Sequence, residues 1–365
     1  MTLDRISLET FRNHAATSLE GTGRFNLLVG ENGAGKTNIL EALSLLAPGR
    51  GLRRAALADM AGQDGAGGFG IGASLVPADA SGPAAEPVRL GTFTQAAQPG
   101  RRHVRIDGSA SSAVALGEWL SVGWLTPAMD RLFADSAGAR RRYMDRLAVA
   151  IDPGHAAHAA RFSAALRERN RLLSAERAPE AAWLDGIEAQ LARHGALLTE
   201  GRARLVAGLT EALAEAPAEP FARPALSHRA GGPLGEKDLL TALHEERAKA
   251  RRAGRTLTGP HRDELDVVFA AKNVAAAQCS TGEQKAMLIA MTLAHGRLAQ
   301  QGRASILLLD EVAAHLDPLR RGALFERLAE GSAQIWMTGT EMAAFEAILP
   351  QASVWRIAEG RAIPV

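Results

Sequence analysis

The segment GENGAGKT, residues 30–37, has the residue types and spacing needed to bind a chain of phosphates. It matches G-x-x-x-x-G-K-[ST], in which glycines permit a tight turn that points backbone N–H groups at phosphate oxygens. Lys36 would reach the β- and γ-phosphates, and the Thr37 hydroxyl would ligate Mg²⁺. The residues predicted to contact a nucleotide such as ATP are Gly30, Glu31, Asn32, Gly33, Ala34, Gly35, Lys36, Thr37 and Asn38.

Two acidic residues follow an apolar run in ILLLDE, residues 306–311. The run predicts a buried strand, and Asp310 at its end could hold Mg²⁺ through water. Glu311 is placed to polarise an attacking water and is the candidate catalytic base, with Lys36 as the second catalytic residue. An ordinary strand end with two solvated acids is the alternative interpretation.

A second candidate phosphate-binding turn lies at CSTGEQ, residues 279–284. Ser280 could donate its hydroxyl, Gly282 leaves room for an oxygen, and Glu283 opens a predicted helix whose N-terminus is positive. The turn resembles the signature of ABC-type ATPases, which serves the nucleotide of the other subunit; His315 and Asp317 resemble the D-loop that would touch that turn. A plain helix cap is the alternative, because Ser-Thr-Gly-Glu is also a good capping sequence.

Short apolar segments must position these motifs. Apolar runs predict buried strands at residues 24–30, 305–311 and 334–339. Apolar residues at helical spacing predict a helix at residues 37–47. Alternating residues 2–8 predict an edge strand, and short segments between 61 and 112 predict a β-meander.

The middle of the chain has a different pattern. Residues 128–215 are rich in Ala, Leu and Arg at helical spacing, which predicts helices. A Pro/Gly-rich break follows at 215–235, and residues 264–270 again have a pattern that predicts a strand. The predicted fold is α/β: an ABC-type P-loop ATPase lobe (1–120 and 255–365) with a β-meander subdomain and an inserted α-helical lobe (121–254).

Composition excludes several classes of protein. Of the 365 residues, 47% are apolar, which is enough for a large core, yet no run approaches the ~20 residues of a membrane span. With one cysteine, no internal disulfide is possible. We therefore expect a cytoplasmic protein with no membrane partner.

The basic residues are mostly arginine, which suits phosphate contacts, although a GC-rich genome would also favour it. Since aromatic residues make up only 4%, a duplex-backbone binder is favoured over a base-stacking platform. The arginines form four clusters that could bind DNA phosphates; for each of them, the alternative is a solvent-exposed face or pairing with nearby acidic residues. The clusters are Arg50, Arg53 and Arg54; Arg101, Arg102 and Arg105; Arg140, Arg141 and Arg142; and Arg247, Arg251, Arg252 and Arg255.

Nearly the whole chain resembles the RecF family. The resemblance runs in order through ISLETFRNHAATSLE, LLVGENGAGKTNILEALSLLAPGRGLRRA, LTPAMDRLFADSAGARRRYMDRL, RERNRLL and TGPHRDEL. It implies an ABC-like ATPase lobe with an inserted helical lobe, and a weak, DNA-dependent ATPase that dimerises with ATP. It further implies binding to double-stranded DNA and to single-strand/duplex junctions, action with RecR and RecO to load RecA, and roles in DNA replication, DNA repair and the SOS response to DNA damage.

Some features depart from related ATPases. The signature is Ser-Thr-Gly-Glu-Gln rather than Ser-Gly-Gly-Gln, and Thr338 or Thr340 stands where transporters have a γ-phosphate-sensing His. No convincing Q-loop glutamine is found. In GPHRDEL, the residues His261, Asp263 and Glu264 suggest a metal site, but a structural role is favoured. The alternatives are a transporter ATPase, which would carry the switch His, and an SMC-type head, which would need long coiled-coil arms.

Overall fold

The computed structural model describes residues 1–62, 67–77, 86–177, 179–299, 302–313 and 316–365. In chain order, the described strands are β1 Thr2–Phe11, β2 His14–Glu20, β3 Phe25–Val29, β4 Gly70–Val76, β5 Val88–Gln95, β6 Gln98–Ile106, β7 Ser109–Ser111, β8 Leu120–Leu125, β9 Pro224–Arg229, β10 Glu264–Phe269, β11 Val274–Ala275, β12 Ala304–Leu309, β13 Gln334–Gly339, β14 Ala352–Ala358 and β15 Arg361–Pro364. The described α-helices are α1 Lys36–Ser44, α2 Leu116–Trp119, α3 Ala137–Ile151, α4 Gly154–Ser174, α5 Ala181–Glu215, α6 Glu236–Glu245, α7 Arg247–Ala253, α8 Thr281–Leu298 and α9 Pro318–Glu330.

The chain forms two compact units. The first contains residues 1–130, 217–221 and 288–365, and the second contains residues 131–216 and 222–287. Each unit is built from separate stretches of the chain, so α8 begins in the second unit and ends in the first.

These limits differ from the predicted boundaries at residues 120 and 255. Strand β8 pairs in parallel with β12, so the first unit continues beyond residue 120. Strand β10 forms a small antiparallel sheet with β9 and β11 in the second unit. The segment 264–270 is thus extended as predicted, but its partner β9 lies inside the segment interpreted as a Pro/Gly-rich break.

A six-stranded sheet in the order β15-β14-β3-β13-β12-β8 forms the centre of the first unit. Strands β14, β3, β13, β12 and β8 are parallel, and β15 is antiparallel to β14. Every residue of β3 and β13 is buried, as expected for strands covered on both faces. Because the strands are parallel, the residues that follow β3, β12 and β13 lie at the same edge of the sheet.

An antiparallel sheet in the order β2-β1-β4-β5-β6-β7 completes the first unit. Strands β4 to β7 pair consecutively, which confirms the predicted meander, and the N-terminal hairpin of β1 and β2 extends it. Alternate β1 residues such as Ile6 and Leu8 belong to one buried cluster with Leu40 and Leu43 of α1. Burying this apolar surface holds the sheet against the helix that follows the glycine-rich loop.

In the second unit, α4 and α5 pack along their length and bury a cluster that includes Phe162, Leu191 and Leu243. A buried ion-pair network ties α3 and α5 to the start of β10. Arg202 donates to Asp145 Oδ1 at 2.8 Å and to Asp263 Oδ2 at 2.9 Å. Burial alone would raise the pKa of Asp145, but hydrogen bonds from His155 and Arg202 outweigh it and lower that pKa to about 2.

Arg102, one of the predicted nucleic-acid contacts, is instead a structural residue at the end of α1. Its Nε donates to Thr92 Oγ1 at 2.7 Å, and its Nη1 donates to the Gly49 carbonyl oxygen at 3.0 Å. Its Nη2 donates to the carbonyl oxygens of Leu45 and Ala47. Burial lowers the pKa of Arg102 to about 10, so the group remains cationic at neutral pH and complements the negative end of the helix.

Replacing Arg102 with methionine is expected to lower the free energy of unfolding by about 2–4 kcal/mol, because several carbonyl oxygens at the helix end lose a charged donor. Arg101 is the matched control: it is exposed, and its Nη1 lies 3.4 Å from Gln98 Oε1. Arg101→Met should change stability by less than about 0.5 kcal/mol. Urea unfolding followed by circular dichroism measures both variants, and equal losses of stability would contradict the assignment.

Candidate functional site

The glycine-rich segment between β3 and α1 forms the predicted tight turn. Gly33 and Gly35 have positive φ angles of 83° and 115°, which glycine adopts without steric penalty. Lys36, only 4% exposed, donates from Nζ to the carbonyl oxygens of Gly30 at 2.6 Å and Glu31 at 2.9 Å. The ammonium group therefore lies inside the loop, where a phosphate could replace these carbonyl oxygens as its partner.

The turn between β1 and β2 braces this loop, a contact that sequence reasoning missed. Asn13 Nδ2 donates to the Ala34 carbonyl oxygen at 3.0 Å, and Asn13 Oδ1 accepts from Asn38 Nδ2 at 2.7 Å. His14 is fully buried, with Nε2 3.1 Å from the Gly35 carbonyl oxygen. Burial lowers the pKa of His14, and this effect outweighs the hydrogen bonds to the Gly35 and Gly360 carbonyl oxygens, which would raise that pKa. The sequence offered no signal for this contact beyond two polar residues that follow the predicted edge strand at residues 2–8.

The acidic pair at the end of β12 lies beside the loop. Thr37 Oγ1 donates to Asp310 Oδ1 at 2.9 Å, so the structure brings together the two predicted Mg²⁺ ligands. Burial lowers the pKa of Lys36, while the nearby charges of Glu311 and Asp310 raise it. Hydroxyl and carboxylate oxygens are ligands that suit Mg²⁺, and the glycine turn with the N-terminus of α1 suits a phosphate chain. Their roles with a bound nucleotide remain predictions.

Thr338 on β13 contacts both acidic residues. Its Oγ1 donates to Asp310 Oδ1 at 2.8 Å and accepts the Glu311 backbone N–H at 2.9 Å. Its side chain is 1% exposed, whereas Thr340 is exposed. Glu311 has a positive φ of 54°, a conformation that costs a residue with a side chain about 1–3 kcal/mol.

The signature turn has the geometry of a helix cap, the alternative that the sequence left open. The Ser280 N–H donates to Glu283 Oε2 at 2.9 Å, and the Glu283 N–H donates to Ser280 Oγ at 3.3 Å. Lys272 pairs with the Glu283 carboxylate, and that hydrogen bond, with those from Ser280, lowers the pKa of Glu283 to about 2. A Cβ added at Gly282 would meet no atom within 4 Å, so the face of the turn is open.

Asp317 also caps a helix, because its Oδ1 accepts the Arg320 N–H at 2.9 Å at the start of α9. His315 lies outside the described residues. The D-loop role of Asp317 toward a second subunit is not tested by these contacts and stays a prediction.

The GPHRDEL segment is structural, as favoured from the sequence. Asp263 accepts from Arg202, Glu264 Oε1 accepts from Arg140 Nε at 2.7 Å, and His261 Nε2 lies 3.1 Å from the Thr256 carbonyl oxygen. Each side chain has a different partner, so the three do not converge on one point.

Several arginines of the predicted phosphate-binding clusters are paired within the chain. Arg140 binds Glu264, and Arg141 Nη1 donates to the Asp263 carbonyl oxygen at 2.8 Å. Arg247 Nε donates to Glu188 Oε2 at 2.9 Å, and Arg251 Nη2 donates to the Ala175 carbonyl oxygen at 3.2 Å. The exposed arginines of the predicted clusters are Arg50, Arg53, Arg54, Arg101, Arg105, Arg142, Arg252 and Arg255, of which Arg53 also pairs with Glu41.

No helix in the described parts of the chain is long and apolar enough to cross a membrane.

Comparisons with known proteins agree on one family. Residues 2–358 match the model of the RecF/RecN/SMC N-terminal domain. The chain is 44% identical over 377 residues to the DNA replication and repair protein RecF of Brucella suis, covering 99% of this chain and 96% of that protein.

Solved structures share the fold. The structure of the recombination mediator protein RecF-ATPrS in the RecFOR pathway aligns with a TM-score of 0.86 and 20% identity, covering 100% of this chain and 98% of that chain. An Smc head bound to the C-winged helix domain of ScpA aligns with a TM-score of 0.54 and 15% identity, covering 100% and 97% of the respective chains. The fold is therefore that of an ABC/SMC-like head.

Proposed function

The chain belongs to the RecF family of DNA replication and repair proteins, and from this premise we propose that it is an ATP-dependent DNA-binding clamp for recombinational repair at gaps and stalled forks. One observation carries the proposal: Lys36, Thr37, Asp310 and Glu311 lie together at one edge of a parallel sheet. Phosphoryl transfer depends mainly on positioning and charge, and these are the groups it requires.

Each of these residues has a defined task in ATP hydrolysis. Lys36 binds the β- and γ-phosphates after leaving the loop carbonyl oxygens. Thr37 and Asp310 would hold Mg²⁺, which neutralises phosphate charge when bound. Glu311 orients the attacking water and accepts its proton. The proposed activity is the weak, DNA-dependent ATPase that membership of the RecF family implies.

The active form in this proposal is a head-to-tail homodimer. The open turn at Ser280 and Gly282, with the positive N-terminus of α8, would bind the γ-phosphate held by Lys36 of a second copy. Glu283 keeps the turn ordered through its contacts with Ser280. ATP thereby becomes part of the interface, and hydrolysis weakens it.

The DNA partner is double-stranded DNA beside single-stranded gaps. Exposed arginines such as Arg50 and Arg54 can contact phosphates without reading sequence, which suits a protein that must act at any gap. The protein partners are RecR and RecO, with RecA loading as the outcome and the cytoplasm as the location. An SMC-type head with another task and a transporter ATPase remain the alternative functions, of which the Smc head has the shared fold in its favour.

Replacing Ser280 with alanine is expected to abolish ATP-driven dimerisation while ATP binding to the monomer stays within about threefold of wild type. The reason is that the nucleotide held by one copy loses a hydroxyl donor from the other. Light scattering with and without ATP and duplex DNA measures dimerisation, and an equilibrium titration measures ATP binding.

Ser136→Ala is the matched control for this variant. Ser136 caps α3 as Ser280 caps α8, and its Oγ accepts the Ala139 N–H at the same 3.3 Å distance. Both variants lose a cap worth about 1 kcal/mol, but only Ser280→Ala should lose the dimer. If Ser280→Ala dimerises with ATP as wild type does, the composite site is wrong.

A further inference from the structure

One buried hydroxyl connects the two acidic residues that the proposed ATP hydrolysis requires. Strand β13 lies between β3 and β12, so Thr338 reaches Asp310 and Glu311 across the parallel pairing. The three groups form a directed chain, in which Glu311 N–H donates to Thr338 Oγ1, which in turn donates to Asp310 Oδ1. With 1% exposure, Thr338 makes these bonds away from solvent.

The contact with Glu311 holds a strained backbone. Glu311 is in the left-handed region, at a φ of 54°. The N–H of this residue donates to Thr338 Oγ1, at 2.9 Å. Since the backbone of Glu311 sets the direction in which its carboxylate extends, the Thr338 hydroxyl orients the candidate catalytic base without touching its side chain.

The contact with Asp310 selects one of its two carboxylate oxygens. Oδ1 accepts hydroxyls from Thr37 at 2.9 Å and from Thr338 at 2.8 Å. These two hydrogen bonds hold the Asp310 carboxylate in one orientation. Both of them end on Oδ1, so Oδ2 takes part in neither. The single hydroxyl oxygen of Thr338 donates to Asp310 and accepts from Glu311 at the same time, whereas a valine of the same shape can do neither.

We propose that Thr338 is a positioning residue for ATP hydrolysis, which holds Asp310 and Glu311 in their working orientation and makes no contact with the nucleotide. The inference rests on the proposed function. From the sequence, Thr338 was a candidate for sensing the γ-phosphate. In the structure its buried hydroxyl is bonded to both acidic residues, so we assign it the role of orienting them instead.

The main test compares Thr338→Val, Thr338→Ser and the control Thr241→Val, at an exposed threonine on α6. Thr338→Val should lower kcat by about 10- to 100-fold, because small misplacements of catalytic groups have effects of this size. Its ATP affinity should stay within about threefold of wild type, since no nucleotide contact is lost. Thr338→Ser and Thr241→Val should keep kcat within about threefold. A Thr338→Val enzyme with wild-type kcat, or one that loses affinity and kcat equally, overturns the proposal.

A second readout needs no catalysis. Hydrogen exchange of the Glu311 amide, measured without nucleotide, should be at least about tenfold faster in Thr338→Val than in wild type or Thr338→Ser, because the amide loses its acceptor. If Thr338→Val does not fold, Thr338→Ala and Thr338→Ser, which both lack the methyl group and differ only in the hydroxyl, replace it in the comparison.

The two readouts separate the possible failures. If the wild-type protein with DNA does not hydrolyse ATP, the proposed function fails, and hydrogen exchange alone then decides whether Thr338 holds Glu311. Faster exchange in the hydroxyl-free variants supports that placement, and equal exchange in all variants overturns it.

Discussion

Replacing Lys36 with alanine is expected to weaken ATP binding by at least about 100-fold and to abolish ATP-driven dimerisation and hydrolysis. Lys36 as a whole is only 4% exposed, and its ammonium group lies inside the loop, where the Gly30 and Glu31 carbonyl oxygens hold it at 2.6 and 2.9 Å. A phosphate chain entering the loop would find a partly desolvated positive charge, and charge pairs in such a place are stronger than in water. Alanine removes that charge and leaves the loop carbonyl oxygens facing the phosphates.

Titration with a fluorescent ATP analogue measures the affinity directly. Lys249→Ala is the control, since Lys249 is an exposed lysine on α7 and its loss changes net charge by the same amount. We expect wild-type affinity for that variant. If Lys36→Ala binds ATP within about threefold of the wild-type affinity and its thermal unfolding is unchanged, the loop does not hold ATP as described.

Replacing Glu311 with glutamine should lower ATP turnover by about 100-fold or more while ATP binding persists. Glutamine has nearly the same shape, so the backbone contact with Thr338 and the strained turn can remain. The neutral amide, however, cannot accept a proton from the attacking water. Phosphate release under saturating ATP measures turnover, and Glu341→Gln, at an exposed position after β13, is the control.

The same variant should accumulate as a dimer on DNA. If hydrolysis is the step that weakens the interface, blocking it lengthens the life of the ATP-bound dimer. Light scattering with ATP, Mg²⁺ and a gapped duplex should therefore show a larger dimer fraction for Glu311→Gln than for wild type. Normal turnover by Glu311→Gln would mean that another residue is the base and would remove Glu311 from the mechanism.

Local motifs could be predicted because their chemistry lies in contiguous residues. The turn from Gly30 to Thr37 needs glycines, a lysine and a hydroxyl at consecutive positions, and the structure forms that turn with positive φ angles at Gly33 and Gly35. The apolar runs before residue 30 and before Asp310 likewise predict buried strands, since strands covered on both faces must be apolar throughout. Sequence alone therefore determined the glycine-rich loop, the acidic strand end and the α/β class.

Only the tertiary structure decided which distant residues meet. Thr338 meets the acidic pair because β12 and β13 are neighbours in the central sheet. Arg102 meets the end of α1 because the antiparallel sheet packs against that helix. Likewise, β10 belongs to the second unit rather than to the predicted ATPase lobe, because it pairs with β9. Spacing along a chain carries no record of strand order, and a side chain that can cap a helix can equally face solvent. The partners of such residues depend on how the whole chain packs.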